Sequence, residues 1–178
     1  MYLIGRGRYA RETYPQSRAA GEFTPVRGFT TGTFAGNLGA VTPALVPGTP
    51  ILAFNLTPNQ SGLIECAADI LVSPSVADTL TYIAQLVEGG SATGGVSLGT
   101  NVLGGNNATP LVIPAGGVTI AQFQESTVAS IAQRSSTLAF HANATVGAAC
   151  AVVVYAISTS GASVWTVSVN ASAIEQQN

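Results

Sequence analysis

The stretch "GLIECAADILV", residues 62–72, decides the fold class of this chain. Its apolar and more polar positions alternate with a period of two, which is the spacing of a β-strand with one buried face. The apolar series is Ile64, Cys66, Ala68, Ile70 and Val72, and the intervening series is Glu65, Ala67, Asp69 and Leu71. This segment therefore predicts a half-buried strand.

Other segments on both sides of it carry strand patterns as well. "SVWTVSVNAS" (163–172) alternates still more cleanly, and "TPILAFNLTP" (49–58) is a short apolar run bounded by prolines. "ATVGAACAVVVYAIS" (144–158) is apolar on both faces, which predicts a central strand that is covered on both sides. "STLAFHANAT" (136–145) precedes it directly, and we predict that the two form a hairpin.

Two stretches are ambiguous between helix and strand. In residues 73–90 the apolar spacing fits a helix, and Ser75 with Asp78 could form a capping box. The β-branched and aromatic residues of this stretch, and the strong strand before it, favour a strand instead. Residues 118–133 are similarly divided, and we predict two short strands there.

Glycine and turn residues separate these segments, and almost nothing in the chain favours a helix. Seven glycines and no charged residue lie in 89–110, which predicts a glycine-rich loop at 89–108. Many short strands separated by turn signals indicate an all-β sandwich or barrel. We assign it to residues 41–178 as a single domain, because 178 residues is short for two domains.

The composition has few charges for a soluble monomer. Charged residues make up 8% of the chain and hydrophobic residues 47%, and there is no lysine. Surface charge normally keeps proteins dispersed, so we expect much of this surface to contact protein. The alternative is a monomer with an exterior rich in Ser, Thr and Asn. We expect neither a signal peptide nor a membrane span, because no apolar run approaches the roughly 20 residues that a span needs.

The positive charge is concentrated at the start of the chain. Residues 1–27 hold five arginines against Glu12 and Glu22, a net charge of +3, whereas the rest carries a net −5. Prolines and glycines recur through residues 1–40, and we predict an extended N-terminal arm there, without regular structure. The residues that we expect to form a subunit docking arm are Tyr2, Arg6, Arg8, Tyr9, Arg11, Tyr14 and Arg18.

Three interpretations of this arm compete. Arginine and tyrosine can contact phosphates and stack on unpaired bases, which would give a weak nucleic-acid contact. The same two residue types are enriched at protein interfaces, so the arm could instead dock on a neighbouring subunit. A tail without a role is the third. Docking is favoured because Leu3, Ile4, Phe23, Phe29 and Phe34 add apolar anchors.

Residues with catalytic chemistry are scarce. His141 is the only histidine, and Cys66 and Cys150 lie far apart in apolar runs, so no zinc-ligand spacing occurs. Two buried free thiols are favoured, while a disulfide stays open. No phosphate-binding loop or nucleophile elbow is present. We therefore predict no catalytic, cofactor-binding or metal-binding residues, no cofactor and no enzymatic activity.

Taken together, three segments resemble single jelly-roll structural proteins of viruses, bacteriophages in particular. They are "GRGRYARETYP" (5–15), the strand–turn–strand run of 51–86, and the strand-rich ending of 136–175. The resemblance implies a jelly-roll-like antiparallel β-sandwich with an extended N-terminal arm. It also implies a capsid or decoration subunit, made in the host cytoplasm and located in the virion, whose partners are copies of itself and other capsid proteins.

Two other functions remain open at this stage. One is a trimeric fibre head or receptor-binding module that recognises the host surface, with the glycine-rich loop as its variable region. The absence of aromatic residues in that loop counts against sugar binding. The other is a hydrolase or isomerase on a cupin-like barrel, which would need clustered histidines and carboxylates.

Overall fold

The structure is a computed structural model that describes residues 29–41, 43, 48–97, 102–104, 111–130, 132–160 and 163–176. Within these ranges the chain forms β-strands and no helix. The strands are β1 (Phe29–Val41), β2 (Thr49–Leu56), β3 (Leu63–Pro74), β4 (Asp78–Glu88), β5 (Thr93–Gly94), β6 (Val96–Ser97), β7 (Val102–Gly104), β8 (Leu111–Val112), β9 (Val118–Val128), β10 (Arg134–Asn143), β11 (Cys150–Ser158) and β12 (Trp165–Glu175).

The eight long strands pair in a nested order. β1 pairs with β12, β2 with β11, β3 with β10, and β4 with β9, and every pair is antiparallel. Further pairing of β12 with β3 and of β11 with β4 completes two sheets, β1-β12-β3-β10 and β6-β7-β2-β11-β4-β9. Nested antiparallel pairs of this kind define a jelly roll. The predicted jelly-roll-like antiparallel β-sandwich is therefore confirmed.

Apolar side chains from the two sheets meet in one core. β3 alternates between buried and exposed positions as its sequence predicts, and β12 does the same. Trp165 of β12 and Tyr82 of β4 are fully buried, and their rings make an edge-to-face contact with centroids 6.1 Å apart. A buried aromatic side chain contributes about 1.5–3 kcal/mol to stability, so this contact joins the sheets firmly.

The central strand β11 is covered on both faces, as its sequence predicts. Its inner face contributes to the main core, while Ala151 and Val153 point to the opposite side. There they pack with Ala53, Val87, Ala92 and Leu111. Leu111 lies in β8, which pairs with β5 in a small two-stranded sheet. The predicted glycine-rich loop, 89–108, thus holds the short strands β5, β6 and β7, and its Ala92 helps to cover the second sheet together with Leu111.

The predicted hairpin between β10 and β11 is wrong. β10 pairs with β3 in the first sheet, whereas β11 pairs with β2 and β4 in the second. The residues between them, 144–149, therefore carry the chain from one sheet to the other. The two sequence patterns agree with this outcome. β10 alternates between buried and exposed residues, as expected of a sheet with one exposed face, whereas β11 is apolar on both faces, as expected of a sheet that is covered on both sides.

Two other predictions can be compared with the strands. Residues 73–90 contain the strand β4, which confirms the choice of strand over helix. Residues 118–133 contain one long strand, β9, instead of two short ones. Its pairing with β4 shifts register twice, so irregularities in the ladder accommodate the uneven sequence pattern within one strand.

The first strand, β1, lies largely inside the predicted arm, residues 1–40. β1 covers 29–41 and pairs with β12 along its whole length, so the expectation of no regular structure is wrong for these residues. The register shifts between Thr30 and Gly32 and between Asn37 and Gly39 show how a glycine-containing strand fits at the sheet edge. The described residues include no helix long and apolar enough to cross a membrane.

Candidate assembly surface

The outward-facing side of β3, β10 and β12 carries mostly short side chains. We call the exposed or half-exposed residues on this side of β3, β10 and β12 the outer face. It consists of Leu63, Glu65, Ala67, Asp69, Leu71, Ser73, Ser135, Thr137, Ala139, His141, Asn143, Thr166, Ser168, Asn170, Ser172 and Ile174. Only three of these residues can carry a charge. The outer face therefore carries mostly short and mostly uncharged side chains, consistent with the composition of the whole chain.

Two carboxylates of β3 form the charged part of the outer face. Thr137 Oγ1 donates a hydrogen bond of 2.7 Å to Asp69 Oδ1. His141 Nε2 lies 3.4 Å from Glu65 Oε1, and both side chains are more than half exposed. An exposed pair of this kind is worth about 0–1 kcal/mol, so it would yield readily to a better partner. Both carboxylates are accessible to an approaching cation.

Asp78 is a second type of carboxylate, buried at the start of β4. Its Oδ2 accepts hydrogen bonds from Ser158 Oγ (2.7 Å) and from the indole Nε1 of Trp165 (2.8 Å). Its Oδ1 accepts from the backbone N–H groups of Thr159 (3.0 Å) and Ser160 (3.1 Å). Burial opposes its charge, but these hydrogen bonds outweigh that effect and lower the pKa of Asp78. This carboxylate holds the β11–β12 connection against β4.

Glu175 does the same at the other end of the sandwich. Its Oε1 accepts from the backbone N–H groups of Gln60 (2.8 Å), Ser61 (3.1 Å) and Gly62 (3.1 Å), and its Oε2 accepts from Asn59 (3.0 Å). Burial again opposes the charge, and the four backbone donors lower the pKa of Glu175. The side chain is 2% exposed. It fixes the β2–β3 loop and offers no free charge to a partner.

The strand patterns of the sequence contain a signal that these two carboxylates are buried. Glu175 follows Trp165 in steps of two along β12, so it falls on the buried face. Asp78 likewise belongs to the alternating series of residues in β4 that are buried. An acidic residue in register with a buried apolar series must be satisfied by donors, which predicts a structural carboxylate.

The residues predicted to form the docking arm, Tyr2, Arg6, Arg8, Tyr9, Arg11, Tyr14 and Arg18, lie outside the described residues. Their role stays a prediction. His141 lies on the outer face beside Glu65 and is exposed, whereas Asp78 and Glu175 are buried. Among the described residues, no three histidine, cysteine, aspartate or glutamate side chains come together to hold a metal ion.

Both cysteines are free and buried in the core of the sandwich. Burial raises the pKa of the Cys66 thiol to about 12 and that of the Cys150 thiol to about 11; the neighbouring Cys150 adds to the first shift, and the negative charges of Glu88 and Glu175 add to the second. The thiolate is the reactive form of cysteine. We therefore expect the native protein to react very slowly with a disulfide reagent at neutral pH, and to release two equivalents of thiol in denaturant. Rapid reaction of the native protein would contradict this burial.

Comparison of the chain with protein-family models, curated proteins and solved structures finds no match.

Proposed function

We propose that this protein is a virion structural subunit, a small capsid or decoration protein that assembles with copies of itself and with other capsid proteins. The observation that supports this most directly is a jelly roll with an outer face whose side chains are mostly short and mostly uncharged. Viral capsid domains are among the proteins built on the jelly roll. Because one fold serves many functions, the fold alone does not support the proposal, and the properties of the outer face are considered next.

The outer face suits burial against protein in two respects. Short side chains such as Ala, Ser and Thr lose less conformational entropy on burial than long ones do. A surface with few charges also loses little hydration energy when it is covered. The centres of protein interfaces are depleted of charged residues for the same reason. The outer face can therefore pack against a neighbour at low cost in free energy.

Charge complementarity links the arm to this surface. Residues 1–27 carry a net charge of +3, and the accessible carboxylates Glu65 and Asp69 lie on the outer face, four residues apart on β3. An extended chain of 28 residues spans at most about 90–100 Å, whereas a domain of this size has a radius of gyration near 15 Å. The arm is thus long enough to cross a neighbouring subunit, and a weak contact with nucleic acid is its secondary role. The proposal locates the protein in the virion after synthesis in the host cytoplasm.

The test compares assembly with and without the arm. The full chain is compared with a chain that begins at Gly28, because a deletion that reached residue 36 would remove part of β1. A matched full-length variant changes Arg6, Arg8, Arg11 and Arg18 to Gln. We expect sedimentation and negative-stain electron microscopy to show large or closed assemblies for the full chain and smaller species for both variants.

Two results would overturn this proposal. One is a monomer in all three samples under conditions where each is folded. The other is a trimer that survives removal of the arm and binds host cells, which would favour the receptor-binding module. A 260/280 nm absorbance ratio that rises only when the arginines are present would support the secondary contact with nucleic acid.

A further inference from the structure

The four edges of the two sheets differ in how they are protected. An exposed edge strand presents unpaired N–H and C=O groups to other chains, and natural proteins blunt such edges with bulges, short strands or charges. β1 and β9 each shift register twice along their pairing, and β6 is two residues long. β10 pairs with β3 over ten residues with no register shift. In the described part of the chain, β10 is therefore the one long, regular edge.

The backbone of β10 can be divided into groups that bond β3 and groups that face the free edge. Ala144 N donates to Gly62 O (2.8 Å), which continues the antiparallel ladder just beyond the strand. Alternate residues of such a ladder direct both backbone groups to the same side. The even-numbered residues, including Leu138, therefore bond β3. The odd-numbered residues, with Ala139 at the middle, direct their N–H and C=O groups to the free edge.

We propose that β10 pairs antiparallel with β10 of a second copy of this chain, about a two-fold axis, and joins two four-stranded sheets into one of eight strands. This surface is separate from the arm, so the inference goes beyond the proposed function. Two-fold interfaces are the commonest in soluble oligomers, and each side must complement itself. The free edge of β10 meets that requirement in charge, side-chain size and register.

The charges of β10 favour pairing with β10 of a second copy in the antiparallel orientation. The ionisable residues of β10 are Arg134 at one end and His141 near the other. Antiparallel pairing of two copies keeps each of these residues away from its own counterpart, whereas parallel in-register pairing would place like residues side by side. Like charges opposite each other destabilise a strand pair. An antiparallel second copy is therefore the better electrostatic match.

Side-chain size and hydrogen-bond direction set the register. Because odd-numbered residues must bond odd-numbered residues, the two registers with the greatest overlap have the two-fold axis at Leu138 or at Ala139. With the axis at Leu138, Thr137 of each copy lies opposite Ala139 of the other, and with the axis at Ala139 the two Ala139 residues lie opposite each other and Thr137 lies opposite His141. Thr137 and Ala139 are exposed and short, so the centre of this face leaves room for the approach of a second strand.

The experiment measures the dimer fraction of the full-length protein by native mass spectrometry. Ala139→Pro removes an edge-directed N–H and leaves the ladder to β3 intact, and proline is tolerated in edge strands. Its matched control, Leu138→Pro, removes an N–H that bonds β3 and should unfold the sheet. We expect Ala139→Pro to weaken dimerisation about tenfold or more, since two central hydrogen bonds are lost. Tryptophan emission from the buried Trp165 reports whether each variant is folded.

A charge exchange at the same position keeps the proposal testable if the proline variant does not fold. Ala139→Lys and Ala139→Glu should each dimerise weakly alone, because like charges meet near the axis, and a mixture of the two should form heterodimers. Dimers that persist unchanged in all three variants, or a wild-type chain that forms no dimer, would overturn the pairing. Dimers that survive deletion of residues 1–27 would support the β10 pairing, even if larger assemblies disappear. The loss of larger assemblies in that variant tests the arm and does not test the β10 pairing.

Discussion

Replacement of Asp78 by Ala is expected to lower the free energy of unfolding by about 3–5 kcal/mol, the largest effect of any side-chain truncation considered for this chain. The reason is the number of donors that depend on one buried carboxylate. Ser158 Oγ, Trp165 Nε1 and the backbone N–H groups of Thr159 and Ser160 would all lose an acceptor. Domains of this size are stable by only about 5–15 kcal/mol, so a large part of the total would be lost.

Urea unfolding followed by far-ultraviolet circular dichroism measures this loss, since the indole of Trp165 is itself a partner of Asp78. The matched control is Asp69→Ala, which removes an exposed carboxylate with a hydrogen bond from Thr137. That change should cost less than about 1 kcal/mol. Equal effects of the two substitutions would contradict a structural role for Asp78.

Replacement of Glu175 by Ala is expected to cost about 2–4 kcal/mol, because four backbone N–H groups of residues 59–62 lose their acceptor. Glu175→Gln places an amide N–H₂ next to one set of donors but retains one acceptor oxygen for the others. Its cost in the free energy of unfolding should therefore be smaller than that of Glu175→Ala. Amide exchange of residues 59–62 gives a local measure. Unchanged exchange in Glu175→Ala would show that the loop holds its shape without the carboxylate.

The same carboxylate should make stability depend on pH. The pKa of Glu175 is lower in the folded protein than its ordinary value, because the four backbone donors outweigh the effect of burial. Its contribution is therefore complete above the unfolded-state pKa, near 4.3, and is lost as the pH falls through the folded-state value. We expect the wild type to lose more stability than Glu175→Gln between neutral and acid pH. Parallel stability curves for the two proteins would contradict this linkage.

The alternation of apolar residues predicted which residues face the core, but it did not predict which strands pair. β3, β11 and β12 follow from their patterns, because a period of two reports burial directly. The predicted partnership of β10 with β11 failed because a side-chain pattern does not identify the neighbouring strand. In a jelly roll the first and last long strands lie side by side, and local sequence holds no record of that contact.

Glycine content misled the interpretation of residues 29–40 for a physical reason. Glycine weakens a strand through its conformational freedom, yet at a sheet edge irregular pairing can absorb it. β1 shows this with register shifts beside Gly32 and Gly39. The outer face was only partly foreseeable as well. Its low charge follows from composition, whereas the grouping of Glu65 with His141 and of Asp69 with Thr137 depends on the β3–β10 register.

The most direct test of the central claim, that this jelly roll acts by assembling with copies of itself, is native mass spectrometry of the unmodified full-length protein over a range of concentrations. The account predicts even-numbered oligomers built from a dimer, with larger species that require the arm. A folded monomer at every concentration would contradict it, because neither the regular β10 edge nor the low-charge outer face would then have a partner among copies of this chain.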